Sequence, residues 1–197
     1  MVYAFSKSKQ SWNTHSQGLW QGGRLAVSNL STGYHGIMKQ WWEHYTTGKR
    51  VLLISEGKKV KQEFESYYPQ WQFETLDLYP ELADANANDC DIYGDLSSFE
   101  NPLPEDRYDL IINQATLEHV YNPFGAMKNM FEALAPYGIL VSHTHPPGFE
   151  YHSYPRDYFR FMHDWWEDLP DFFPEIELLE LHEANFHVFS CYRRNPD

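Results

Sequence analysis

The stretch Tyr108-Asp109-Leu110-Ile111-Ile112-Asn113-Gln114-Ala115-Thr116-Leu117-Glu118-His119-Val120 decides the reading of the fold. Tyr108 to Asn113 is a short, apolar, strand-like run that gives way to a polar turn. A helix follows from Phe124 to Leu134, and Gly138-Ile139-Leu140-Val141-Ser142 reads as the next strand. Strand, helix and strand in succession make the unit from which parallel sheets are built, with right-handed crossovers.

The alternation also runs upstream. Val51-Leu52-Leu53-Ile54 is continuous and apolar, as a strand covered on both faces must be. Lys58 to Tyr68 reads as a helix, Gln72 to Asp77 as a second strand ending in a carboxylate, and Asp91-Ile92-Tyr93 as a brief third. Tyr108–Asn113 is then the fourth strand and Gly138–Ser142 the fifth. Earlier still, Ile37, Met38, Trp41, Trp42 and Tyr45 make one apolar helical stripe that stops near Gly48, and residues 1–35 read as a loop-and-helix cap. Beyond Trp165-Trp166, Glu175–Leu181 and Phe186–Tyr192 alternate at period two around Glu183-Ala184-Asn185, the pattern of a closing antiparallel hairpin. Nothing divides the chain, so one domain is expected over residues 1–197, with an N-terminal cap and helix over 1–48 and the α/β core over 49–197. In a doubly wound sheet, ligand chemistry belongs at the carboxyl ends of the strands.

Lys and Arg number 15 against 28 Asp and Glu, a formal charge of −13. Such a surface repels nucleic acid and anionic membranes, and no Lys/Arg-rich run offsets it. No stretch approaches the about 18 apolar residues of a membrane span, and the start lacks a signal-peptide core. Cys90 and Cys191 lie apart in apolar surroundings and read as buried thiols. A reducing, cytoplasmic location is expected, and the length also suits a module excised from a longer polypeptide.

The 108–120 segment, followed by Asn122-Pro123 and by Leu134-Ala135-Pro136-Tyr137-Gly138-Ile139-Leu140-Val141, resembles the signature of class I S-adenosylmethionine-dependent methyltransferases. These carry an F/Y-D-x-I strand, a Leu-Glu-His-Val turn, a D/N-P helix start and an L-x-P-G-G approach to the next strand. Tyr137 replaces the first glycine of that approach, and Gly138 is expected to permit the turn. The resemblance spans residues 49 to 192 and implies a Rossmann-like, mainly parallel seven-stranded sheet completed by the C-terminal hairpin. It implies that Asp77, with Leu78 beside it, holds the ribose hydroxyls of S-adenosylmethionine, since a carboxylate offers two acceptors to a cis-diol. It also implies that Gly94-Asp95-Leu96 receives the adenine and that Asn113 and Gln114 line the methionine end. After the first strand the family has a run of glycines, whereas Ser55-Glu56-Gly57-Lys58-Lys59 keeps only Glu56 and Gly57 as cofactor contacts. The product would be S-adenosylhomocysteine.

Methyl transfer demands alignment of donor and acceptor, and an oxygen acceptor also benefits from a base. Among ten histidines, His145, His143 and His119 lie near the carboxyl ends of the fourth and fifth strands. His145 is the expected base, because the turn after the fifth strand faces the methyl group in this fold. His119 also suits a structural role in its turn. Some relatives carry a divalent ion on E-x-x-E-H, but Ala115 stands where the first Glu would be, so no metal ligand is assigned. The aromatic run Phe149–Phe161 resembles one seen in glycan-modifying methyltransferases, and His152, Tyr154, Arg156, Asp157, Tyr158 and Arg160 are candidate acceptor contacts. A buried amphipathic helix is the plainer reading of that run. The function expected is O-methylation of a sugar or glycan hydroxyl, which also suits a module of a larger glycan-synthesis protein. The alternatives are methylation of a small phenolic or carboxylate metabolite, and a non-catalytic binding module with an eroded glycine loop.

Overall fold

The computed structural model describes residues 34–81, 89–152 and 156–196; residues 1–33 of the cap expected over 1–35, and Tyr154, lie outside them. Among the described residues four α-helices, α1 (Tyr34–Tyr45), α2 (Lys58–Tyr67), α3 (Pro123–Ala133) and α4 (His163–Phe172), accompany seven strands. The strands are β1 (Arg50–Ile54), β2 (Gln72–Asp77), β3 (Ile92–Tyr93), β4 (Tyr108–Gln114), β5 (Leu134–Thr144), β6 (Ile176–Ala184) and β7 (His187–Arg194). They form one sheet in the order β3-β2-β1-β4-β5-β7-β6. The first five are parallel, and β7 runs antiparallel to both β5 and β6. This is the Rossmann-like architecture the sequence implies. No described helix is long and apolar enough to cross a membrane.

Each face of the sheet carries its own core, as the period of two along each strand requires. Val51 and Leu53 of β1 join Leu110, Ile112, Ile139 and Val141 against Met38 and Trp42 of α1 and Phe64 of α2. Leu52 and Ile54, pointing the other way, join Ile111 and Leu140 against Met127, Met130 and Phe131 of α3 and Trp166 and Leu169 of α4. The continuous apolar runs of β1 and β4 follow from this double covering. Cys90 and Cys191 are buried free thiols.

The α3 start is built as its sequence suggests, with Asn122 accepting from the Gly125 N–H at 3.0 Å and Pro123 in the first turn. The run from α3 into β5 departs from expectation. Tyr137, not Gly138, takes the left-handed conformation, with φ 63°, so the residue replacing the family glycine carries the strain itself. Gly138 is required for a different reason, because a Cβ there would meet the Tyr108 and Ala135 carbonyl oxygens at 2.6 and 2.8 Å. The hairpin turn is also shorter than expected, since Ala184 pairs with His187. Asn185 and Phe186 therefore form a two-residue connection with φ values of 51° and 63°, as a type I′ turn needs. The helix α4 has no counterpart in the sequence reading, because Pro170 and the Trp165-Trp166 pair blur its period, whereas residues 149–152 and 156–161 are not helical.

Asp109 ties the α1–β1 connection to β4. Its Oδ2 accepts the Lys49 and Arg50 backbone N–H groups, both at 2.9 Å, and Arg50 Nη2 reaches Oδ1 at 2.8 Å. Burial alone would raise this carboxyl, but the Arg50 guanidinium and these N–H groups hold it below its usual value. A carboxyl depressed in the folded state contributes stability above its unfolded pKa and loses it as the pH falls through the folded value. Asp109→Asn should therefore cost about 1–3 kcal/mol at pH 7, with the gap to the native chain narrowing as the pH is lowered to about 3. Urea unfolding of both proteins at the two pH values reads this, and a pH-independent gap would remove the charge from the explanation.

Candidate active site

Strand register gathers the expected cofactor residues along one edge. Asp77 pairs with Tyr93, Leu76 with Ile54, Ile54 with Asn113, Asn113 with Ser142 and Gln114 with His143. The carboxyl ends of β3, β2, β1, β4 and β5 thus lie side by side. Asp77 Oδ1 accepts the Leu78 N–H at 2.8 Å, and the Gly94 N–H donates to the Asp77 carbonyl at 3.0 Å, which docks Gly94-Asp95-Leu96 beside Asp77. Asp95 Oδ1 takes the Ser97 N–H and hydroxyl at 2.8 and 2.6 Å, and Leu96 is buried. Asn113 is buried and donates to Ser142 Oγ at 2.9 Å. Its Oδ1 and the Oε1 of Gln114 are buried with no hydrogen-bond partner, two acceptors at the carboxyl end of β4, each suited to a donor such as an ammonium group. In the shortened loop, Ser55 adopts φ 57° and Gly57 is the extended N-cap of α2. The Lys58 N–H goes to the Asp89 carbonyl at 2.7 Å. The loop thus reaches left-handed geometry through a serine, with Glu56 between it and the helix.

The second cluster surrounds Glu118, in the short 3-10 turn Leu117–His119 that follows β4. Glu118 is 0% exposed, so its charge must be compensated locally. The Thr144 hydroxyl donates to Oε2. Facing Oε1 are three imidazole nitrogens: His145 Nε2 at 3.4 Å, His152 Nε2 at 3.7 Å and His119 Nε2 at 4.0 Å. Burial would raise the Glu118 carboxyl, but these groups and Thr144 outweigh it and keep it below its usual value. His145 is pushed down by burial against the opposing pull of Glu118, and His152 is held up by the adjacent Glu118 carboxylate. His145 stacks on Phe149 with ring centroids 3.7 Å apart, and its Nδ1 lies 3.3 Å from the Phe186 carbonyl at the hairpin turn. His119 Nδ1 donates to the Arg156 carbonyl. Behind His145, His143 Nε2 meets His187 Nδ1 at 2.7 Å, so His143 is a buried strand residue within this network.

The aromatic segment is tied down here. The Tyr158 and Phe159 N–H groups donate to the Glu118 carbonyl at 2.7 and 3.3 Å. All five Arg160 donors are spent on Asp157 and on the Phe149, Glu150 and Phe159 carbonyls, and Asp157 also accepts the His152 N–H at 2.7 Å. Arg160 holds the Asp157 carboxyl down at about 2. This pair braces the loop and presents no donor outward, while Tyr158 is exposed and meets exposed Tyr121 edge-to-face at 5.6 Å. Arg156 is exposed as well. Glu118 is the buried centre of this cluster and is missing from the expected site. Its signal was a carboxylate set between Leu117 and Val120 in an apolar turn, upstream of the run His143-Thr144-His145.

Residues 40–190 match the family described as a methyltransferase domain. The chain belongs to that family. Sequence comparison with curated proteins finds no match. Among solved structures, this methyltransferase resembles an S-adenosylmethionine-dependent methyltransferase from Mesorhizobium loti at TM-score 0.60 and 12% identity, covering 81% of this chain and 97% of that one. A putative methyltransferase from Bacillus halodurans aligns at TM-score 0.59 and 11% identity, over 82% and 98% of the two chains. A third, 1,6-didemethyltoxoflavin-N1-methyltransferase from Burkholderia thailandensis with bound S-adenosylhomocysteine, gives TM-score 0.57 and 12% identity over 82% and 77%. The methyl donor of the family is S-adenosylmethionine, and the row from Asp95 through Asp77 to the unpartnered Asn113 and Gln114 oxygens fits it. Asp77→Ala should weaken its binding by about 10–100-fold, the worth of a lost charged hydrogen-bond acceptor. Calorimetric titration checks this, and an unchanged Kd would take the ribose away from Asp77.

Proposed function

We propose that this methyltransferase acts on oxygen, transferring the methyl group of S-adenosylmethionine to a hydroxyl of a sugar or glycan. The observation that carries the reading is the fully buried Glu118 ringed by His119, His145 and His152 at the turn after β4. A hydroxyl must lose its proton as the methyl carbon arrives, and a carboxylate–imidazole cluster beside the crevice is equipped to take it. The donor supplies an activated methyl carbon. The chain's own task is to bind and orient it through Asp77 and Asp95 and to hold the acceptor oxygen in line, so that the C–O bond forms as the C–S bond breaks and the hydroxyl proton passes to the cluster. The exposed rings of Tyr121, Tyr151 and Tyr158 favour a sugar, whose C–H faces pack on aromatic surfaces. The test is transfer of labelled methyl from S-adenosylmethionine to a panel of oligosaccharides, phenols and short carboxylic acids. Label on a sugar hydroxyl is the expected result, and label confined to phenols or carboxylates would overturn the acceptor class.

A further inference from the structure

We propose that Glu118, His145 and His152 form a binding site for a divalent first-row transition ion of the zinc type. Their ligand atoms, one carboxylate oxygen and two imidazole nitrogens, all lie within 4.8 Å of one another. His145 Nε2 and His152 Nε2 stand 3.4 and 3.7 Å from Glu118 Oε1. These separations are long for hydrogen bonds but match the roughly 3.4 Å between neighbouring ligands set tetrahedrally about 2.0–2.1 Å from one ion.

The protonation pattern points the same way. A backbone carbonyl only accepts, so the Nδ1 of His145, 3.3 Å from the Phe186 carbonyl, carries the hydrogen. In the neutral ring its Nε2 presents a lone pair to Glu118 Oε1, a buried acceptor with no hydrogen-bond partner. His119 repeats the arrangement, donating from Nδ1 to the Arg156 carbonyl and turning Nε2 toward the same oxygen from 4.0 Å. Lone pairs facing a buried carboxylate are mutually repulsive, and a cation between them turns that repulsion into coordination. The surroundings are those of a ligand shell: a backbone carbonyl orients His145, Asp157 Oδ2 lies 3.6 Å behind His152 Nδ1, and Thr144 orients Glu118. Two imidazoles and one carboxylate suit zinc, manganese, iron or cobalt rather than magnesium or calcium. The His152 side chain is 35% exposed where Glu118 and His145 are buried, leaving one side open as catalytic metal sites do. The ligands come from the turn after β4, the end of β5 and the following loop, and none depends on the position of Ala115.

As a site that activates an acceptor hydroxyl it rests on the function proposed above; as a metal site it does not. The test is therefore run without donor or acceptor, titrating chelator-treated protein with zinc by calorimetry and with cobalt(II) by visible absorbance. One equivalent should bind, with cobalt bands characteristic of nitrogen ligation. Glu118→Gln and His152→Ala should each weaken zinc roughly tenfold or more, as ligand-shell changes do. His163→Ala, on α4 beside Glu167, should leave the one-equivalent binding intact. The half-exposed His152 tolerates truncation, so its variant decides the matter if Glu118→Gln fails to fold. No binding by the native chain, or binding undiminished in every variant, overturns the site. Hydroxyl methylation by a chain that binds no zinc would overturn the metal site and leave the proposed function, whereas zinc binding with no hydroxyl methylation would do the reverse.

Discussion

Turnover by His145→Ala should fall by about 10²–10⁴-fold, the usual worth of a group that assists removal of the acceptor's proton. Affinity for S-adenosylmethionine should stay close to that of the native chain, because the donor row runs through Asp77 at the end of β2 and Asp95 in the loop after β3. His145 is central to the Glu118 cluster: its Nε2 is the closest of the three imidazole nitrogens to Oε1, and Phe149 and the Phe186 carbonyl fix the ring. Removing it both opens a space beneath Phe149 and takes one partner from a buried carboxylate. Steady-state kinetics paired with calorimetric donor binding separates the two readouts. Unaltered turnover would exclude His145 from the acceptor chemistry, and a parallel loss of donor binding would mean that the two halves of the crevice are not independent.

Glu118→Ala should destabilise the fold by about 3–5 kcal/mol, the cost of breaking a buried charged network by removing one member. The carboxylate is 0% exposed, takes the Thr144 hydroxyl on one oxygen and faces three imidazoles on the other. Its backbone carbonyl, which receives the Tyr158 and Phe159 N–H groups, survives the substitution, so the 156–161 segment should stay docked. Set against a total of about 5–15 kcal/mol for a domain, the loss is large enough to read directly from the urea midpoint. Glu118→Gln keeps the shape and an acceptor for Thr144 and should cost less. A loss below about 1 kcal/mol for the alanine variant would place it among ordinary surface changes and remove the cluster from the internal framework.

The fold was legible because its determinants are local. A continuous Val51–Ile54 run and the Tyr108–Asn113 run can only be satisfied by burial on both faces, and a helix between parallel strands leaves few topologies open. β2 ends at Asp77 as expected, and Asn122-Pro123 starts α3 as its residue types require. Where local signals conflicted, the reading slipped: α4 carries a proline within it, and the left-handed turn before Gly138 falls on Tyr137, a conformation that a tyrosine adopts only when the packing around it compels it.

The active site divides along the same line. Sequence alone determined the α/β class and the carboxylates that terminate the strand edges, because a residue at a strand end is placed by the strand itself. Only the tertiary structure decided that Glu118, His119, His145 and His152 converge, that Arg160 and Asp157 brace a loop rather than face outward, and that the hairpin turn delivers the Phe186 carbonyl to His145. These contacts join residues far apart in the chain, and their geometry is set by sheet register, turn length and the burial of a charge that must find partners where the packing brings them.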